Sequence, residues 1–419
     1  MMNNFIPKDW TFSPLGEYLN LIGGFAFKSQ DFSEEGTVPV LRIANIKENG
    51  INLDNAAFVS NKVAENTNRY SLKEEHIVIA MSGATTGKTG QVISDNLPLL
   101  LNQRVGTFDI KDENKLSNNF LKFLVQKDSF KNLINVDAVG GAQPNISSKQ
   151  IESIHALIPP INQQNKIAAI LTSVDNAIEK TVAIIEQTEK VKKGLMQQLL
   201  TKGIRHTKFK ETEIGVIPEE WEVVQLGDIL ELVKRPMKMK DDELYQLVTV
   251  KRRHGGVVPR GELYGHQVKV KNQFYIKSGD FLISKRQIVH GACEVVPPSL
   301  DGAIVSNEYH TLLVKHTLEM DFFRWYIRHP KIIHYFLLSS VGVHIEKMLF
   351  RVEDWFKRKV AIPPIEEQQK IATTLTSIEK TLEVNKQHLK RLQSIKIGLM
   401  QVLLTGKIRV HVNEMEVTR

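Results

Sequence analysis

The chain has 419 residues, 42% hydrophobic and 24% charged, a balance that excludes fibrous and disordered classes and allows two or three domains with real cores. No apolar run reaches membrane-spanning length, the first residues lack a signal-peptide pattern, and the lone Cys293 excludes an internal disulfide, so no membrane contact and a cytoplasmic setting are expected. The net charge of +8 suggests a nucleic-acid partner, but residues 1–157 carry −2, 158–205 +3, 206–361 +4 and 362–419 +3, so the first segment needs a local patch to touch DNA.

In chain order, residues 1–157 read as a mixed α/β domain. Pro7-Lys8-Asp9-Trp10 leads to a short helix start at Leu15-Gly16-Glu17, and Gly23 to Lys28 forms a Gly-rich loop. Val38 to Ile46 alternates as a strand, with Asn49-Gly50 as its turn. His76 to Met81 reads as a short buried strand. It enters the polar loop Ser82-Gly83-Ala84-Thr85-Thr86-Gly87-Lys88-Thr89-Gly90. Val105 to Ile110 is another strand, Phe120 to Val125 has helical spacing, and Gly140 to Ile146 is a last loop.

Pro159-Pro160 cannot sit inside a helix or a central strand, so a stiff connector ends the domain. A long helix is expected at once, within a segment 158–205. Ile167, Leu171, Val174, Ile178, Thr181, Ile185, Thr188, Lys192, Leu195 and Leu199 follow an unbroken four-three spacing. That heptad seam predicts coiled-coil packing.

The linker after Lys202 ends in Ile217-Pro218-Glu219-Glu220-Trp221, echoing Ile6 to Trp10, and Leu226-Gly227-Asp228 echoes Leu15-Gly16-Glu17. Residues 206–361 therefore restart as a second domain. Leu244 to Val250 is a strand entering Lys251-Arg252-Arg253-His254, and Phe281 to Arg286 takes the place of Ile77 to Ser82. Phe322 to Arg328 and Ile332 to Leu338 look helical. The segment 362–419 then repeats the long helix. Its seam is Ile371, Leu375, Ile378, Leu382, Asn385, Leu389, Leu392, Lys396, Leu399 and Leu403, and the copies share 22 of 48 positions without a gap from Ile158 and from Ile362. Polar interruptions recur in place, Thr181 with Asn385 and Lys192 with Lys396, and are expected to set register and partner. Gly194 and Gly398 recur too, through close approach of a backbone or through a fraying end. The gapless copies predict helices of equal length, and the tails predict that the two chain ends lie near each other.

Two such modules, each opening with Pro-x-x-Trp and closing with Pro-Pro and a helix ending Gly-Leu-Met-Gln-x-Leu-Leu-Thr (Gly194 to Thr201, Gly398 to Thr405), closely resemble the specificity subunit of type I restriction–modification enzymes. The resemblance covers essentially the whole chain. It implies two α/β target-recognition domains alternating with two long antiparallel coiled-coil helices, related by a pseudo-two-fold internal duplication. It also implies double-stranded DNA as partner, each domain reading one half of a bipartite target. Two methyltransferase subunits would dock on the helices, and restriction subunits would join through that two-plus-one core. S-adenosylmethionine, ATP and Mg would belong to those partners, with no cofactor and no catalysis in this chain.

Base edges are read by Arg, Lys, Asn and Gln, and phosphates by Lys, Arg, hydroxyls and amides. The first-domain candidates are Lys28, Arg42, Asn45, Lys47, Ser82, Thr85, Lys88, Gln103, Arg104, Gln143 and Asn145. Those of the second are Lys234, Arg235, Lys251, Arg252, Arg253, Lys285 and Arg286.

Catalytic signatures are missing. Neither Pro-Pro is preceded by Asn or Asp and followed by an aromatic, as adenine methyltransferases require, and no zinc-type His or Cys spacing occurs. The Gly83 to Thr89 loop approaches a phosphate-binding P-loop but its glycine spacing is one residue short. Cys293 reads as a packing residue. Two alternatives stay open here: a nucleotide-binding protein using that loop, and a coiled-coil scaffold.

Overall fold

The structure, a computed structural model, describes residues 7–47, 50–137 and 145–411. The chain divides into two compact units, one holding it up to Val182 and again from Gln387, the other holding Ala183–Lys386.

The first unit is built on an antiparallel sheet in the order Leu19–Gly23, Val105–Ile110, Ile77–Ala80, Thr89–Gln91. Successive side chains of a strand point to opposite faces. Ile77 and Ile79 accordingly enter a core with Phe120, Phe123 and Leu124 of the helix Asn118–Gln126. Val78 and Ala80 enter another with Leu41 and Leu101. A small sheet, Ala57–Val59, Val38–Leu41 and Leu100–Leu101, lies on that second side. The strand expected from Val38 to Ile46 stops at Leu41. Asn45 accepts a hydrogen bond from Arg42 N and donates to Asn52 O, which folds Ile43–Asn45 into a single 3-10 turn.

The second unit repeats this order with Leu230–Val233, Tyr309–Val314, Phe281–Ser284 and Cys293–Val295. From Ile77 onward its counterpart strands begin 204 residues later, at Phe281, Cys293, Ile304, Tyr309 and Lys359. Its second sheet is larger, with Val257–Tyr264, Leu244–Val250, Ile304–Ser306 and Gln273–Tyr275. Cys293 is buried, and burial pushes its thiol up, away from the reactive thiolate.

The long helices are Ile161–Leu199 and Ile365–Leu403, 39 residues each, the equal lengths expected, or about 58 Å at 1.5 Å per residue. Every seam position is buried or half-buried. The seam is not a pure two-helix contact, however. Ile167 and Leu171 join Leu403 in the globular core of the first unit, and Ile371 and Leu375 join Leu199 in that of the second. The start of one helix and the end of the other thus share a core, which within each unit makes them antiparallel.

The polar interruptions divide into two kinds. Lys192 reaches across to Glu379, 3.0 Å away, with its ammonium over the Trp325 ring. Lys396 reaches Asp175, 2.6 Å away, over Phe123. Asp175 and Glu379 are counterparts, so one cross-helix pair is built twice and holds the register. Thr181 and Asn385 instead bond their own helix, to Ala177 O and Thr381 O. They reach no partner helix through those bonds, contrary to expectation. Among the described residues, a Cβ on Gly194 or Gly398 would meet nothing within 4 Å, so no described backbone approaches them closely.

Two residues that periodicity did not single out lock each helix to its domain. The fully buried Gln164 donates to Lys115 O and Pro159 O and accepts from Ser117 N. Gln368 repeats this with Thr317 O, Pro363 O and Glu319 N. The repeated tryptophans sit beside them: Trp10 Nε1 donates to Gln163 and Trp221 Nε1 to Glu367. In the first unit Arg409 pairs with Asp9, and Gly406 presses on Pro7. The described ends of the chain therefore meet, as expected; residues 1–6 and 412–419 lie outside the description. Among the described residues no helix is long and apolar enough to cross a membrane.

Candidate nucleic-acid interface

In the first unit, backbone hydrogen bonds gather separate loops at one end of the four-stranded sheet. Phe25 N donates to Leu101 O and Gln103 N to Phe25 O. Asn102 N donates to Leu41 O, Met81 N to Arg104 O, and Ile146 N to Met81 O. Lys28, Arg42, Ser82 to Lys88, Gln103, Arg104 and Asn145 all belong to these loops. Lys47 stands beyond Asn45 on the short hairpin Ile46–Lys47 with Gly50–Ile51. Lys28, Lys47, Gln103 and Arg104 are exposed, and among the described residues their side chains have no hydrogen bond or ion pair, nor has half-buried Lys88.

Three first-domain candidates turn inward. Asn45 is 4% exposed and both ends of its amide hold the loop, so it cannot reach a base edge in this conformation. The Ser82 hydroxyl is buried without a partner among the described residues, and so is that of Thr85. Arg42 is half-buried, with one nitrogen reaching Asn55 O at 3.4 Å. Asn145 is exposed and bridges Ser82 through the backbone. Gln143 lies outside the described residues.

The second unit gathers the counterpart loops. Lys285 N donates to Glu308 O and Phe350 N to Lys285 O, bonds displaced by 204 residues from those of Met81 and Ile146. Arg253 N and His254 N donate to His290 O and Gly291 O. These bonds clamp both residues at positive φ, +57° and +52°, a region that L side chains disfavour. Arg253 stands exposed there. Its guanidinium has no partner among the described residues, and neither has the Lys251 ammonium.

Other cations of this domain are committed. Arg235 forms a two-bonded ion pair with Asp280, 2.6 and 3.0 Å, and Asp280 is 1% exposed; this arginine is structural rather than a reader of bases. Arg286 pairs with Glu308, and Arg252 bonds both Gln287 and Glu346. Lys234 and Lys285 line a cleft of about 60 Å³ with Phe274, Asn307, Tyr309 and His310. Burial lowers the Lys285 pKa, with nearby Glu308 opposing and Lys234 adding to the shift. Burial and then Lys285 and Lys234 push His310 down to about 4, so it is neutral near pH 7. Two ammonium groups beside a neutral imidazole suit an anion.

The Gly83 to Thr89 loop leads from the strand Ile77–Ala80 into Thr89–Gln91, which folds back on it. A P-loop needs a helix there, whose N-terminus holds the phosphates. The nucleotide-binding alternative is therefore dropped.

The sequence profile described as a type I restriction modification DNA specificity domain matches residues 7–190 and again 218–394. The chain is 29% identical to a putative type I restriction enzyme MjaX specificity subunit of Methanocaldococcus jannaschii, over 97% of this chain and 95% of that one. It is 26% identical to the MjaVIII specificity subunit of the same organism, over 97% and 94%. Among solved structures, the S subunit of a type I restriction–modification system from M. genitalium superposes with a TM-score of 0.58 at 14% identity, covering 96% of this chain and 98% of that one. A chain from work on complex assembly and conformational transition of the type I R-M system gives 0.52 at 15%, covering 97% and 100%. At such identities the structural likeness speaks for the fold alone.

Proposed function

The chain belongs to the type I restriction–modification DNA specificity family, and from that premise we propose that it is the non-catalytic subunit that selects a bipartite DNA target, one half per domain. The observation that supports this best is the loop face built twice. Both domains present counterpart loops at the same end of the same sheet, each with cations that have no partner among the described residues. Their loop residues differ while the frame is shared, as two readers of different half-sites require. Two modules in one chain make the second half-site encounter intramolecular.

Two methyltransferase subunits dock on the outer helix faces, and restriction subunits join through that assembly. Val191 and its counterpart Ile395 are exposed apolar residues on those faces, giving each unit a comparable contact. S-adenosylmethionine, ATP and Mg are held by those partners, and the complex acts on chromosomal DNA in the cytoplasm. Methylome sequencing with and without this chain tests the reading. Adenine methylation at a split motif should depend on it; methylation that persists without the chain refutes it.

A further inference from the structure

The second domain carries an apolar element at its candidate DNA face. Ser340–Val341 pairs with Leu349–Phe350, and the seven residues between them close a hairpin. Val341, Val343, Ile345 and Leu349 are all exposed, Val343 at 96%. Chain turns normally carry Gly, Asn, Asp or Ser, so such side chains in water call for a partner.

The hairpin is held firmly. Phe350 is buried against Phe336, Trp355 and His310, and its N–H donates to Lys285 O. A Cβ on Gly342 would lie 2.9 Å from Met348 Cα, so the loop closes tightly on itself. Glu346 takes the Arg252 guanidinium at 2.8 Å and pins the loop to the basic Lys251–Arg253 turn. His344 and Lys347 lie on the loop itself.

The charges beside it say what covers it. Phe350 is the counterpart of Ile146, and the residues before it correspond to the first-domain loop ending in Gln143-Pro144-Asn145. The basic turn to which Glu346 ties the hairpin carries exposed Lys251 and Arg253, whose side chains have no partner among the described residues. Charge complementarity favours duplex DNA over an apolar protein surface. From this we infer that the Val341–Leu349 hairpin is a specificity element of the second domain, whose apolar side chains contact thymine 5-methyl groups in the major groove of its half-site. The inference rests on the proposed function and names what this loop reads.

The test selects duplexes from a random pool with the full chain, wild type and Val343→Ser. Removing an exposed side chain leaves the core intact. Wild type should select two half-sites. Val343→Ser should keep one half-site and relax a thymine position in the other. Replacing that thymine by deoxyuridine, which lacks the methyl, should weaken wild-type binding roughly fourfold and leave Val343→Ser unmoved. An unchanged motif in the variant, or a wild type insensitive to deoxyuridine, overturns this inference while leaving bipartite recognition standing. A loss of methyltransferase association with the motif intact also overturns it and assigns the hairpin to a protein partner. No split motif for the wild type takes down both readings.

Discussion

Arg252 and Arg253 are adjacent and equally charged, yet the structure predicts opposite consequences for losing them. Arg253 is exposed, without a side-chain partner among the described residues, and held at φ +57° by its backbone bond to His290 O. If it neutralises one phosphate, Arg253→Ala should lower the slope of log affinity against log salt by about 0.9. Between about 50 and 200 mM salt that amounts to roughly a 3.5-fold smaller loss of affinity. Arg252 already spends its guanidinium on Gln287 and Glu346, both at 2.8 Å. Arg252→Ala should leave the slope nearly unchanged and instead release the hairpin, costing half-site discrimination. Fluorescence anisotropy of the full chain on a labelled duplex, titrated at several salt concentrations, reads the slopes. Equal slope changes for the two variants, or none for Arg253→Ala, would refute the assignment.

Three predictions concern the frame. Gln368→Leu leaves Thr317 O, Pro363 O and Glu319 N without their partner. At about 1–3 kcal/mol for each buried orphan, it should destabilise the second unit by on the order of 3 kcal/mol or more, measured by urea unfolding followed through tryptophan fluorescence; a loss under about 1 kcal/mol would show that water replaces the amide. Gly398→Ala meets no atom of the described residues within 4 Å and should raise stability by about 1 kcal/mol in the free chain, whereas a drop in thermal midpoint would mean that the glycine has a conformational role. Burial tends to raise the Glu379 pKa, but the Lys192 hydrogen bond and the charges of Lys192, Arg328 and Arg324 outweigh it and lower it. A carboxylate depressed in the fold stabilises above its unfolded pKa and loses that contribution as pH falls through the folded value. The gap in thermal midpoint between wild type and Glu379→Gln should therefore narrow on acidification below the ordinary 4.5, and a constant gap would contradict it.

Much of the frame was legible because it is written in local periods and written twice. The four-three seam, the Pro-Pro connector and strands such as Ile77–Ala80 and Leu244–Val250 need only near neighbours in sequence to be recognised. The candidate face was harder to read. Arg235 and Arg253 look alike in sequence, and so do Asn45 and Asn145. Arg235 meets Asp280, 45 residues away, and Asn45 closes its own turn, whereas Arg253 and Asn145 face solvent. Gln164 and Gln368 went unnoticed because a lone polar residue in a helix has no periodic signature. Val341-Gly342-Val343-His344-Ile345 alternates like a half-buried strand, so residue type alone does not tell this exposed hairpin from a packed one.

The sequence by itself determined the duplication, the equal helices, the two domains and the family resemblance. Each follows from repetition and from apolar spacing, which local sterics and burial turn into regular elements. Only the tertiary structure decided which cations remain free, which polar breaks in the seam cross between helices, and which loops share a face. Those outcomes depend on side chains far apart in the chain finding or missing a partner. A buried charge must be paired, and an exposed one need not be, so the same residue type acts as a strut at Arg235 and as a candidate reader at Arg253.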